Sequence, residues 1–265
     1  MPARISPKII LTVTQGRTGT KFLSHVLGHY PGVASFHEPE PNFAGLIQAC
    51  QDQPMIAEEF LRKEKIPAMS RYGRFSVYAE ISHLWCKGPL QAWLRMALEP
   101  VPDLVILDRP LREVALSMLR LGTIPGRTRS GLTWYLNPWH TRNELRWEGS
   151  CEWSDYQCCY AYCLEVEERK RRLSEETRSA GGTVWRTTVE EISTWGGFFR
   201  LRRSLSLSFP KLRNLYSFAH LKRGKMNTQL KGKSRTDIDL HALRAQEEKV
   251  RASMVPRPPV ATDDR

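Results

Sequence analysis

The chain has 265 residues, 40 Lys and Arg against 28 Asp and Glu, and a formal charge of +12. Such a length holds a sizeable core, and the charge suits a polyanionic partner as well as plain solubility. No run approaches the roughly 20 apolar residues of a membrane span. Met1-Pro2-Ala3-Arg4 leads straight into a short apolar stretch with no leader-type cleavage site, so a cytoplasmic location is expected.

Lys8 to Thr14 is an unbroken β-branched and aliphatic run, the pattern of a buried strand. A polar loop with Gly16 and Gly19 follows, and then a helix from Thr20 to His29 that stops at Pro31-Gly32. Val33 to Phe36 and Phe75 to Ile81 predict the second and third strands, and Asp103 to Asp108 the fourth. Pro110 to Leu121 reads as a helix with proline in its first turn. Residues 123–155 form a Gly-, Arg- and Trp-rich stretch with little periodicity: either a lid or acceptor-binding insertion, or an irregular part of the core. A helix is predicted over Tyr156 to Leu173 and a fifth strand over Gly182 to Thr187. A capping box is then expected, with Thr188 as N-cap and Glu191 reaching back. Residues 256–265, rich in proline and charge, predict a disordered tail after a single domain spanning 1–255.

Strands alternating with helices imply a three-layer α/β/α fold around a mainly parallel sheet. Ligands of such sheets sit beyond the carboxyl ends of the strands. The Gln15–Thr20 loop, His37-Glu38, Glu80 and Arg109 all fall at or just past such ends.

The first loop has the parts of an anion site. Gly16 and Gly19 let backbone N–H groups approach, the helix adds its positive end, Thr18 and Thr20 add hydroxyls, and Arg17 and Lys21 add charge. Only two residues separate the glycines, and Lys21 lies two past Gly19. The Walker A spacing of a kinase is therefore not met.

Thr14-Gln-Gly-Arg-Thr-Gly-Thr-Lys-Phe-Leu23 resembles the 5′-phosphosulfate loop of the sulfotransferase family, with Arg17, Thr18, Gly19 and Thr20 in matching positions. Arg109, Pro110 and Ser117 resemble that family's 3′-phosphate site, with an Arg at a strand end and a Ser eight residues on. Lys222-Arg223-Gly224-Lys225 resembles its basic-glycine loop more loosely. The tyrosine that many members carry after the fifth strand is replaced by Thr187-Thr188. The resemblance implies a P-loop-like fold and 3′-phosphoadenosine 5′-phosphosulfate as donor. It also implies transfer of a sulfuryl group to an acceptor hydroxyl, an activity of the EC 2.8.2 type. Donor contacts would come from Arg17, Thr18, Gly19, Thr20, Lys21, Arg109, Ser117, Arg223 and Gly224, and Arg17 would also neutralise the leaving oxygen.

The acceptor proton needs a base. Glu38 in "FHEPEP" is favoured, His37 competes, and Glu80 is a third candidate or an acceptor-orienting group. No metal is required: His25 and His29 lack a third ligand at sensible spacing, and the six cysteines form no C-x-x-C pair. The expected partner is a small-molecule or glycan acceptor, not nucleic acid. Two alternatives stand behind this reading. One is a nucleotide kinase using ATP and Mg²⁺, with Asp108 in the Walker B place. The other is a non-enzymatic polyanion binder, ranked last because the cations look spread along the chain.

Overall fold

A computed structural model of the protein describes residues 8–149, 152–223 and 239–255. Its centre is a five-stranded sheet of β1 (Ile9–Val13), β2 (Val33–His37), β3 (Val77–Ile81), β4 (Asp103–Asp108) and β6 (Val184–Thr188). The order is β2-β3-β1-β4-β6 and every pairing is parallel. A strand covered on both faces must be apolar throughout, and β1 is buried at all five positions.

Alternate residues of β1 enter different cores. Ile9, Leu11 and Val13 join one cluster and Ile10 the other; Leu104 and Ile106 of β4 likewise oppose Val105 and Leu107. One face is covered by α1 (Thr20–Leu27), α9 (Val189–Ile192), α10 (Trp195–Ser204) and α11 (Leu212–Arg223). The other carries α2 (Ile47–Asp52), α3 (Met55–Phe60), α5 (Pro89–Arg95), α6 (Leu111–Leu121), α8 (Asp155–Ser179) and α12 (Leu240–Ala252). These are the three layers expected from sequence. A π-helical turn, Leu61–Lys65, joins α3 to α4 (Ile66–Ser70).

The chain crosses between the two sides of β1. From β1 it runs through α1 to β2 at one edge, returns to β3, then passes to β4 on the far side. The ends of β1, β3 and β4 therefore flank one crevice, the usual ligand position in such a sheet.

Strand and helix positions agree with the sequence reading to within a few residues, except that α8 runs on to Ser179. Its start is a full capping box, Ser154 with Gln157, which the sequence reading missed. The box expected at Thr188 is half-formed. Thr188 accepts from the Glu191 N–H, but the Glu191 carboxylate turns instead to Thr187 Oγ1 and to Arg200. Arg200 offers that carboxylate a charged partner, which the Thr188 N–H cannot match.

The Trp-rich stretch, which contains the short helix α7 (Arg129–Trp134), packs on the main core. Ile124, Tyr135, Leu136 and Trp153 are buried in it, and Trp134, Trp139 and Trp147 lie against it. A short ribbon of β5 (Arg146–Trp147) with β7 (Met254–Val255) ties the stretch to the C-terminal helix. The expected tail, 256–265, lies outside the described residues.

Candidate active site

The loop after β1 turns on three backbone constraints within four residues. Gly16, Arg17 and Gly19 all have positive φ, 88°, 58° and 93°. At Gly19 a Cβ would meet Val189 Cγ2 at 2.2 Å. At Gly16 it would meet the His83 ring at 3.1 Å. Both glycines are needed for conformation and for space. No side chain caps α1. Its first-turn N–H groups and dipole are therefore presented to whatever anion the loop holds.

Thr14 has one hydroxyl proton, which it donates to Leu107 O at 2.9 Å; it therefore accepts from Thr18 Oγ1 at 2.6 Å. Thr18 was expected to donate its hydroxyl to an anion. Its proton is used inside the loop instead, and stiffens it. The carbonyl of Gln15 accepts from Tyr162 OH at 2.6 Å, tying the loop to α8. Thr20 Oγ1 lies 3.0 Å from His37 Nε2 at the head of α1, while Lys21 is exposed.

Arg17, Arg109 and Ser117, separated by up to 100 residues, meet in space. Arg17 Nε donates to Ser117 Oγ at 3.3 Å, and Arg109 Nη1 donates to the Arg17 carbonyl at 2.8 Å. Arg109 Nε also pairs with Glu113 at 3.0 Å. Two guanidinium groups and a buried serine thus stand beside an uncapped helix terminus, a donor set that fits two linked anionic groups. Arg223 ends α11, but its side chain and Gly224 lie outside the described residues.

Facing the loop is a line of three side chains. Glu38, one residue past β2 with φ 49°, places Oε1 3.3 Å from His83 Nε2. His83 Nδ1 lies 2.5 Å from Lys87 Nζ. Lys87 also donates to the Trp134 carbonyl and lies over the Tyr135 ring, 4.7 Å from its centroid. Burial, then Lys87, His37 and Arg17, hold the His83 pKa well below its ordinary value, so the ring is neutral. Lys87 has no acceptor to offer as an ammonium; it donates to Nδ1, which leaves the His83 proton on Nε2 directed at Glu38. Burial raises the Glu38 pKa against the pull of Lys87 and Arg17. Burial likewise pushes Lys87 down to about 7. His37 is held low by burial and by Lys21 and His25.

Glu80 does not join this line. Its Oε1 pairs with Lys65 at 2.9 Å and its Oε2 accepts from Tyr78 OH at 2.6 Å, with both charged groups buried. Neither oxygen is left for an acceptor. Asp108 is likewise engaged, with Lys170 at 2.9 Å and Arg186 at 2.7 Å. Burial opposes its charge, but these two cations hold its carboxyl below the usual range. Among the described residues no cluster of His, Cys, Asp and Glu could hold a metal. His29 is used on the His25 carbonyl. Cys159 and Cys163 are buried packing groups whose pKa values burial raises; Cys151 lies outside the described residues.

His83 and Lys87 escaped the sequence reading. Their signal was available: His83 follows Ile81, the last residue of β3, by two positions, and so obeys the same strand-end rule that singled out Glu38 and Arg109.

Fold and crevice together define an α/β protein with a glycine loop leading into an uncapped helix and a carboxylate–imidazole–amine line opposite it. No protein-family model and no curated protein matches the chain. Among solved structures, the sulfotransferase domain from the curacin biosynthetic pathway superposes with a TM-score of 0.52. Sequence identity is 13%, and the match covers 96% of this chain and 94% of that one. At that identity the likeness is one of fold, and it extends over nearly the whole chain.

Proposed function

We propose that the chain is a sulfotransferase that moves a sulfuryl group from 3′-phosphoadenosine 5′-phosphosulfate to an acceptor hydroxyl. One observation carries the reading: Arg17, Arg109 and Ser117 converge on the uncapped start of α1. The loop N–H groups, Thr20 and Arg17 would hold the 5′-phosphosulfate, and Arg109 with Ser117 the 3′-phosphate. The fold shared with a sulfotransferase domain supports the same choice.

In the reaction the acceptor oxygen bonds to sulfur while the sulfur–oxygen bond to the 5′-phosphate breaks. The sulfate ester and 3′-phosphoadenosine 5′-phosphate are the products. Glu38 takes the acceptor proton, held in place by His83 Nε2–H, whose tautomer Lys87 sets. Arg17 offsets the charge that gathers on the departing phosphate oxygen. His37, bonded to Thr20, orients the head of α1 and is the weaker base candidate. Asp108, held by two cations, is poorly suited to bind Mg²⁺, which weighs against a kinase.

The test is calorimetric titration with 3′-phosphoadenosine 5′-phosphate, followed by a transfer assay with labelled donor against glycan, lipid and phenolic acceptors. Saturable binding is expected; no heat and no thermal shift at high ligand would overturn the reading.

A further inference from the structure

The positive charge is not spread evenly. Between Ile192 and Thr236 the sequence contains no Asp or Glu, whereas eleven Lys and Arg fall there. This corrects the expectation of dispersed cations. The described part of that stretch, α10, the connection after it and α11, forms one outer surface over the second core cluster.

The surface combines charge with unusual apolar exposure. Leu212 is 83% exposed, Tyr216 69%, Phe209 64% and Trp195 39%. Single exposed apolar residues are ordinary, but four large ones within 22 residues are not. They stand on a firm base. Trp195 packs edge-on against buried Phe218 at 4.9 Å, and Phe209 stacks on Phe199 at 5.9 Å. Arg203, Lys211 and Arg213 lie among them, all exposed and without an ion pair among the described residues. By contrast, Arg200 is neutralised by Glu191 at 2.8 Å.

We propose that this surface of α10 and α11 docks the protein on an anionic lipid bilayer. The most exposed side chain decides the partner. Leu212 sits between Lys211 and Arg213. An aliphatic group flanked by two cations suits a headgroup boundary, where the cations reach phosphates and the leucine enters the acyl region. Tyr and Trp complete the interfacial pattern. A nucleic acid would use the cations and stack on the rings, but has no use for an exposed leucine. The inference stands apart from the transfer chemistry, because no residue of the crevice takes part.

The test is flotation of the full chain with phosphatidylcholine vesicles, with and without phosphatidylserine. Binding is expected only with the anionic lipid. Phe209→Ser with Leu212→Ser should weaken it about tenfold or more, and Lys211→Ser with Arg213→Ser about fivefold per charge removed. Thermal melting should be unchanged in the charge variant and only slightly lowered in the apolar one, which loses the Phe209 contacts with Phe199 and Arg202 but stays folded. Absence of binding at low salt overturns the proposal. So does binding that ignores the apolar pair and is matched by a single-stranded oligonucleotide, which would mark a polyelectrolyte surface only.

Discussion

Glu38 Oε1 stands 3.3 Å from His83 Nε2, and the other nitrogen of that ring lies 2.5 Å from the Lys87 amine. A half-buried carboxylate is thus steadied by a buried, neutral imidazole whose tautomer a lysine imposes. The pair joins the ends of β2 and β3 across the mouth of the anion loop.

Glu38→Gln keeps the shape of the side chain and removes its ability to take a proton. Turnover should fall about 10²–10⁴-fold, the usual range for a lost general base. Binding of 3′-phosphoadenosine 5′-phosphate, measured by calorimetry, should be unchanged.

The pH profile follows from the same group. As the proposed base Glu38 would have to be ionised, and burial raises its pKa. Activity should therefore rise with pH through a midpoint above that of an ordinary glutamate. Lys87 opposes the shift. Its replacement, Lys87→Met, should move the acid limb to still higher pH, and a stationary limb would contradict the coupling.

Stability carries a second signature of Lys87. The folded chain releases this proton near pH 7, whereas the unfolded chain holds it up to the ordinary lysine range. Below about 7 both states are protonated and the burial penalty is in full. Above it the unfolded state binds more protons, so stability rises toward pH 10 by an order of magnitude of 3–5 kcal/mol. Urea unfolding at several pH values should show this slope in the native protein, and a flatter one in Lys87→Met.

Arg109→Ala should weaken 3′-phosphoadenosine 5′-phosphate about 10–100-fold, the loss of a charge-assisted contact. Adenosine 5′-phosphosulfate, which lacks the 3′-phosphate, should bind the variant as it binds the native chain. Equal losses for both ligands would reassign Arg109 to support of the Arg17 carbonyl alone.

Asp108→Asn tests whether Asp108 serves as the ionic partner of Lys170 and Arg186 rather than as a Mg²⁺ ligand. Lys170 is buried and would lose an ionic partner. Removing one member of such a pair should lower stability by about 2–4 kcal/mol. On the proposed transfer no step uses Mg²⁺, so activity of the native chain should be indifferent to EDTA.

Much of this was legible in the linear chain because its signals are local. Apolar run, glycine spacing and helix pattern lie side by side in residues 8–27, and a central parallel strand has to be apolar throughout. The strand-end rule then located Glu38 and Arg109 without any knowledge of their partners. The short helices between 47 and 70 left no such trace. None of α2, α3 or α4 has a side-chain cap.

What the sequence alone determined, then, is the parallel α/β layering and a tight glycine loop between β1 and α1, since periodicity and backbone constraint are properties of neighbouring residues. Pairing belongs to the tertiary structure. Only the folded chain decided that Glu80 is consumed by Lys65 and Tyr78, that Asp108 is held by Lys170 and Arg186, and that Glu38 is the carboxylate left facing the loop. The reason is physical: a buried charge must find a partner, and that partner is set by which strand ends and helices the topology brings within hydrogen-bond reach.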